Sequence, residues 1–141
     1  MADAGIRVHG VNEIVLEVLD LDRAVEFYRD VLGLPLHARS DHRAWFLAGS
    51  SRIGLWTPQI GLANGRGGVH VHYAFHIDDA SFDDTVAQLE RHGFNPAIES
   101  FEDEGRGRAA YVADPDGNVV EFWTWDVARD TADVPAATAT Q

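Results

Sequence analysis

Hydrophobic and polar positions in the first half of the chain predict a strand, a helix and three more strands. Residues 11–18 are rich in β-branched side chains, which favour extended backbone. Apolar side chains then recur at intervals of three and four, the spacing of an amphipathic helix, at Ala24, Phe27, Tyr28, Val31 and Leu32. Asp20 or Asp22 would cap the start of this helix, and Gly33 would end it. Three short strands are predicted at residues 35–40, 44–47 and 52–56.

The second half of the chain repeats this order. Residues 69–77 predict a strand, and Ser81 with Asp84 three positions later resembles the capping box of a second helix. That helix ends at Gly93, and its apolar stripe consists of Phe82, Val86 and Leu89. Three further strands are predicted at residues 97–101, 108–113 and 119–125. The sequence Asp-Pro-Asp-Gly at residues 114–117 is typical of a tight turn between the last two strands.

Short matches between the halves indicate an internal duplication. Gly33 and Gly93 follow the two helices, and Gly-Leu-Trp at residues 54–56 aligns with Glu-Phe-Trp at residues 121–123. The chain therefore predicts an α+β fold built from two tandem βαβββ modules. The modules are expected at about residues 11–57 and 69–126.

Segments without periodicity separate and follow the modules. The glycine-rich stretch at residues 61–68 predicts a loop, and residues 127–141 are small and polar, which predicts a disordered tail. Residues 8–126 are then expected to form a single domain. A chain of 141 residues with 45% hydrophobic content is large enough to bury one core.

Composition and charge argue against several classes of partner. A net charge of −12 repels nucleic acid and anionic lipid, and no apolar run reaches the length of a membrane span. The chain has no cysteine, so disulfides and thiolate metal sites are excluded. Its first residues lack the pattern of a secretion signal. We therefore expect a soluble cytoplasmic protein that acts on a small molecule.

Two glutamates occupy apolar strands. Glu121 is flanked by two apolar residues on each side, and Glu13 is followed by three. A carboxylate buried in such surroundings needs a compensating cation, and the chain has no lysine to supply one. A divalent metal ion would satisfy both carboxylates, with the neutral imidazole of His72 as the third ligand.

The duplication strengthens the prediction of a metal site. Glu13 and His72 occupy equivalent positions on the first strand of each module, and Glu121 is equivalent to Gly54. A symmetric site would have four ligands, but the fourth position here is glycine. Three protein ligands leave room for water or substrate, which is typical of a catalytic metal site. Taken singly, each of the three side chains would be an ordinary half-buried strand residue.

Four further residues are candidates for substrate contacts. Arg108, close to Arg106 in a glycine-rich segment, would contact an anion or would be a solvated loop charge. The hydroxyl of Tyr111 would reach substrate, or its ring would pack in the core. Trp56 and Trp123 would wall an apolar pocket or belong to the core.

Several motifs resemble those of the vicinal oxygen chelate superfamily. The matching sequences are Val-Asn-Glu-Ile at residues 11–14, Phe-Tyr-Arg-Asp-Val-Leu-Gly at 27–33, His-Tyr-Ala-Phe at 72–75 and Asp-Pro-Asp-Gly-Asn-Val-Val-Glu at 114–121. This superfamily includes glyoxalase I, fosfomycin-resistance thiol transferases, bleomycin-resistance proteins and extradiol ring-cleaving dioxygenases. The resemblance covers about residues 11–125 and implies two paired half-barrels with Glu13, His72 and Glu121 as metal ligands.

The resemblance also implies a homodimer. Half-barrels from two subunits would enclose each site, so that Glu13 of one chain meets His72 and Glu121 of the other. Tyr111 falls where fosfomycin-resistance enzymes place a tyrosine that contacts substrate.

The chain departs from each of these relatives in its site residues. Gly54 stands where glyoxalase I has a fourth ligand, a glutamate, and Glu13 replaces the first histidine of the dioxygenases. Val15 replaces the threonine of the fosfomycin-resistance enzymes, whose lysine-rich phosphonate cage is missing.

These features favour a metal-dependent enzyme in which one divalent ion per site acts as a Lewis acid on vicinal oxygens of a small substrate. Glu121 or Glu13 would serve as the general base. Two carboxylates and one imidazole are harder ligands than two imidazoles and one carboxylate, which favours Mn, Ni, Zn or Mg over Fe(II). Isomerase, lyase or thiol-transfer chemistry is thus preferred over oxygen insertion. The alternatives are an Fe(II)-dependent extradiol-type dioxygenase and a metal-free, bleomycin-resistance-like module that binds ligand with its tryptophans.

Overall fold

The computed structural model of the protein describes Gly5, residues 10–58 and residues 71–130, and this part forms two modules of the predicted order. The elements of the first module are β1 (Glu13–Glu17), α1 (Leu21–Val25) with a π-helical continuation (Glu26–Val31), β2 (Leu36–Arg39), β3 (Arg43–Ala48) and β4 (Ser51–Trp56). Those of the second module are β5 (His72–His76), α2 (Phe82–Arg91), β6 (Ala97–Ser100), β7 (Arg108–Ala113) and β8 (Val119–Trp123).

Each module forms one four-stranded sheet with the same topology. The strand orders are β1-β4-β3-β2 and β5-β8-β7-β6. In both sheets the first strand runs parallel to the last, and the remaining neighbours are antiparallel. This identity of topology confirms the α+β duplication predicted from the sequence.

The strand register gives the equivalences between modules. Val15 lies opposite Gly54, and Ala74 lies opposite Glu121. Two positions earlier along the first strand of each module stand Glu13 and His72. By the register of the two sheets, Glu13 is therefore the equivalent of His72, and Gly54 is the equivalent of Glu121.

One face of each sheet packs inward and the other is open. On β5, Tyr73 is buried in the core, whereas His72, Ala74 and His76 are exposed. Because side chains alternate along a strand, Glu13 and Gly54 lie on the corresponding face of the first sheet. We call these two surfaces the open faces, and they carry every candidate metal ligand.

Helix capping differs in part from the sequence prediction. The side chain of Asp20 accepts a hydrogen bond from the backbone amide of Arg23 at 3.1 Å, so Asp20 rather than Asp22 caps α1. The capping box predicted at Ser81 is wrong, because Ser81 makes no side-chain capping bond. Its backbone is already helical within a 3₁₀ turn (Asp79–Ser81), and its carbonyl instead accepts from the hydroxyl of Thr85 at 2.8 Å.

The predicted tail begins with a helical turn, α3 (Val127–Asp130). This turn departs from the predicted disorder because the side chain of Asp126 accepts a hydrogen bond from the amide of Ala128 at 3.0 Å, which caps its first turn. The predicted loop at 61–68, the start of the strand predicted at 69–77 and the tail beyond residue 130 lie outside the described residues. Within the described ranges, no helix has the length and apolarity needed to cross a membrane.

A buried polar network joins the two modules. The hydroxyl of Tyr28, on the helix of the first module, donates to Oδ2 of Asp114 in the second module at 2.8 Å. Tyr73 donates to the Tyr28 hydroxyl at 2.7 Å, and Asp114 also accepts from the backbone amides of Asp116 and Asn118. Burial, followed by the neighbouring tyrosine and the Asp114 charge, holds the pKa of Tyr28 far above its ordinary value. The turn predicted at residues 114–117 therefore also anchors one module to the other.

Replacing Tyr28 by Phe should destabilise the protein by about 1–3 kcal/mol, because a buried carboxylate oxygen of Asp114 loses its donor from the other module. Tyr73→Phe is the matched control and should cost less, since Asp114 keeps its bond from Tyr28. Urea unfolding of both variants measures the difference. Equal stability of Tyr28→Phe and the wild type would show that the network does not hold the modules together.

Candidate functional site

His72 and Glu121 come together on the open face of the second module. His72 Nε2 lies 2.8 Å from Glu121 Oε1. Glu121 is only 3% exposed, since β8 is a central strand between β5 and β7, whereas the His72 side chain is 58% exposed. The pair thus presents a buried carboxylate behind an imidazole that solvent can reach.

The second oxygen of Glu121 has no partner in the described part of the chain. Its Oε2 atom is buried and accepts no hydrogen bond there. A buried carboxylate oxygen left in this state costs free energy, which a bound cation would offset. Carboxylate oxygen and imidazole nitrogen are both ligands of divalent metals, so His72 and Glu121 fit a metal ion.

Tyr111 stands beside this pair. It lies opposite Glu121 on β7, and its ring centroid is 5.9 Å from that of His72. Burial, followed by the negative charge of Glu121, raises the pKa of Tyr111 to about 12. Its hydroxyl therefore stays protonated at neutral pH and can donate a hydrogen bond to an oxygen atom of a ligand held beside Glu121.

Glu13 already has a cation, which corrects one step of the sequence argument. Both Nε and Nη2 of Arg52 lie 2.9 Å from Glu13 Oε1. Arg52 is the cross-strand neighbour of Glu13 on β4. Along the sequence Glu13 has no basic neighbour and the chain has no lysine, but strand pairing brings an arginine from β4 to it. A metal is therefore not the sole means of compensating Glu13.

The ring of Trp45 occupies the place of the missing fourth ligand. Trp45 lies opposite Gly54, and a Cβ atom built on Gly54 would come within 2.2 Å of the indole. Any larger residue at Gly54 would displace the ring. By register Trp45 is the equivalent of Tyr111, so the first module has an indole where the second has a phenol. Sequence reasoning assigned Trp45 no place at the ligand positions, although alignment of the two modules contained that signal.

The three predicted metal ligands do not meet within one chain. No cluster of three histidine, aspartate or glutamate side chains suited to a metal occurs among residues 10–58 and 71–130. His72 and Glu121 are in contact, whereas Glu13 belongs to the other sheet and pairs with Arg52. The complete set of three ligands stays a prediction.

Arg108 does not lie with the other predicted substrate contacts. Its guanidinium stands over the ring of Phe82 at 4.3 Å and approaches Asp79 at 3.4 Å and Asp83 at 3.7 Å. Strand alternation is the reason, because Arg108 and Tyr111 are three positions apart on β7 and point to opposite faces. The guanidinium of Arg108 thus contacts the start of α2, and its role in substrate binding stays a prediction.

Trp56 and Trp123 occupy equivalent places on the open faces, two residues after Gly54 and Glu121 respectively. Trp56 makes an edge contact with Trp45, with centroids 5.9 Å apart. The indole of Trp123 donates to the backbone carbonyl of Arg106 at 2.7 Å. Both tryptophans are thus within the surface that carries the candidate ligands, and their contact with substrate stays a prediction.

The model of one protein family, the Glyoxalase/Bleomycin resistance protein/Dioxygenase superfamily, matches residues 10–122. A glutathione transferase FosA of Serratia marcescens is 27% identical, over 89% of this chain and 87% of its own length. A metallothiol transferase FosB of Staphylococcus haemolyticus is 29% identical, over 83% and 84%. The crystal structure of a lactoylglutathione lyase from Agrobacterium tumefaciens matches with a TM-score of 0.69 and 28% identity, covering 83% of this chain and 98% of that one.

Glu121→Gln should lower the pKa of Tyr111 from about 12 toward its ordinary value near 10, because the adjacent negative charge is removed while burial remains. Ultraviolet titration of tyrosinate in metal-free protein measures this, with Tyr111→Phe identifying the signal. Since the raised pKa favours the neutral phenol in the folded state, wild-type stability should fall as pH rises from about 10 to about 12. An unchanged Tyr111 titration in Glu121→Gln would mean that the carboxylate does not act on this hydroxyl.

Proposed function

This chain belongs to the Glyoxalase/Bleomycin resistance protein/Dioxygenase superfamily, and we propose that it is a divalent-metal-dependent enzyme acting on a small substrate with two adjacent oxygens. The observation that carries this proposal is Glu121. Its carboxylate is buried, one oxygen contacts His72, and the other has no partner in the described part of the chain. Such an arrangement is stable when a cation occupies the position in front of the two side chains.

The metal would be held by Glu13, His72 and Glu121, with Glu13 contributed by a second copy of the chain. Support comes from the open faces, which carry these residues on the exposed side of both sheets. A homodimer that pairs the first module of one copy with the second module of the other would cover both faces. In that arrangement Glu13 exchanges its ion pair with Arg52 for the metal.

The side chains around the ion would divide the remaining work. When bound, the ion would supply Lewis-acid polarisation of the substrate oxygens. Tyr111 donates a hydrogen bond to the oxygen on which negative charge develops, since its pKa keeps the phenol protonated. Glu121 or Glu13 accepts the proton removed from the substrate or from an attacking thiol.

The reaction class we propose is addition or elimination involving a small thiol. Support comes from the names of the similar proteins, a metallothiol transferase, a glutathione transferase and a lactoylglutathione lyase. Because two carboxylates and one imidazole form a harder ligand set than two imidazoles and one carboxylate, Mn, Ni, Zn or Mg would suit the site better than Fe(II). Oxygen insertion of the extradiol type is thus the less favoured reaction.

A metal-free ligand-binding module is the second candidate. The observation in its favour is that Arg52 already neutralises Glu13 and stacks on Trp45, so the first module needs no metal for stability. This reading leaves the partnerless oxygen of Glu121 unexplained. Metal content decides between the two functions.

Purified wild-type protein should carry about one divalent ion per chain, and His72→Ala and Glu121→Gln should each lose it. Elemental analysis after dialysis against the candidate metals measures this. His76→Ala is the matched control, because His76 lies on the same open face but outside the proposed ligand set, and it should retain the ion. A wild-type protein that cannot be loaded, or loss of metal in all three variants alike, would contradict the proposal.

A further inference from the structure

The two open faces differ in their ionisable side chains. The open face of the second module carries a histidine–carboxylate pair, but that of the first carries two arginines together with Glu13 and Glu17. Arg43 and Arg52 lie there because Arg43 pairs with Trp56 across the sheet, and Arg52 pairs with Leu47.

Both arginines are held against indoles. The Arg52 guanidinium lies 3.9 Å from the ring centroid of Trp45, and that of Arg43 lies 4.2 Å from Trp56. The two indoles meet edge to face, with 89° between their planes. Stacking restricts the guanidinium while its N–H donors stay available at the rim, so less entropy is lost when an anion binds.

Arg43 has its charge free for a ligand. Arg52 is bonded to Glu13, whereas Arg43 forms no ion pair with any carboxylate in the described part of the chain. An exposed arginine with no purpose in packing would ordinarily be mobile. Here the side chain is fixed over Trp56, two residues along β4 from Gly54, the position equivalent to Glu121.

We propose that Arg43 binds an oxyanion of the substrate, such as a carboxylate or phosphonate group, at the end of the site away from the metal. The inference rests on the proposed function, since it places a second anchor for the molecule whose other oxygens face Glu13, His72 and Glu121. A planar fork of N–H donors suits an oxyanion because it can bond two oxygens at once. The substrate class is therefore a small anion, in spite of the acidic surface.

The test is calorimetric titration of metal-free protein with inorganic phosphate, methylphosphonate and acetate. Arg43→Gln should weaken binding of the preferred anion by about tenfold or more, the effect of losing a charge-assisted hydrogen bond. Arg43→Lys should also bind less tightly, because the charge is kept and the planar fork is lost. Arg29→Gln removes the same charge from an exposed ion pair outside the open faces and should leave the affinity within about twofold.

Equal affinities of Arg43→Gln and Arg29→Gln would overturn the inference, as would absence of binding of all three anions to the wild type. Metal content of the same samples separates this inference from the proposed function. If Arg43→Gln loads metal normally and binds phosphate like the wild type, the inference alone fails. If the wild type takes up no metal but binds phosphate through Arg43, the anion site stands and the metalloenzyme proposal fails.

Discussion

The arrangement of the two modules depends on the hydrogen bonds that the Asp114 carboxylate accepts. It accepts hydrogen bonds from the amides of its own turn, and a further one from Tyr28 on the helix of the other module. A second bond, from the amide of Leu19 to Asp116 at 2.9 Å, crosses the same boundary. These hydrogen bonds fix the two modules against each other, so that one face of each sheet packs inward. The opposite faces, which hold the candidate chemistry, are left open.

Duplication followed by divergence explains the distribution of roles between these faces. Each position in one module has an equivalent in the other, and at the site the equivalents differ in chemistry. Gly54 beneath an indole corresponds to the buried carboxylate of Glu121, while the arginines Arg43 and Arg52 correspond to Ala109 and Val119. In our proposal the second module contributes two ligands of the metal, and the first contributes the third ligand, Glu13, together with Arg43 for the anion. A shared site needs both.

The periodicity of hydrophobic residues was sufficient to predict the helices and strands, because burial of one face of such an element requires apolar residues at regular intervals. It also brought out Glu121 and His72, since a carboxylate in an apolar strand needs a partner. What could not be predicted depends on pairing across strands. Arg52 reaches Glu13 and Trp45 covers Gly54 only through the register of β1, β3 and β4. The contacts of Arg108 with Phe82 and Asp83 likewise depend on how α2 packs on the second sheet.

The claim that one metal site is shared between two copies is tested most directly by mixing variants. Glu13→Gln and Glu121→Gln should each bind no metal alone, because every site in either dimer lacks one ligand. Refolded together, they form mixed dimers in which one site receives Glu13 from one copy and His72 with Glu121 from the other. We expect about one ion per mixed dimer. Metal-free mixed dimers, with a fully loaded wild-type control, would contradict it.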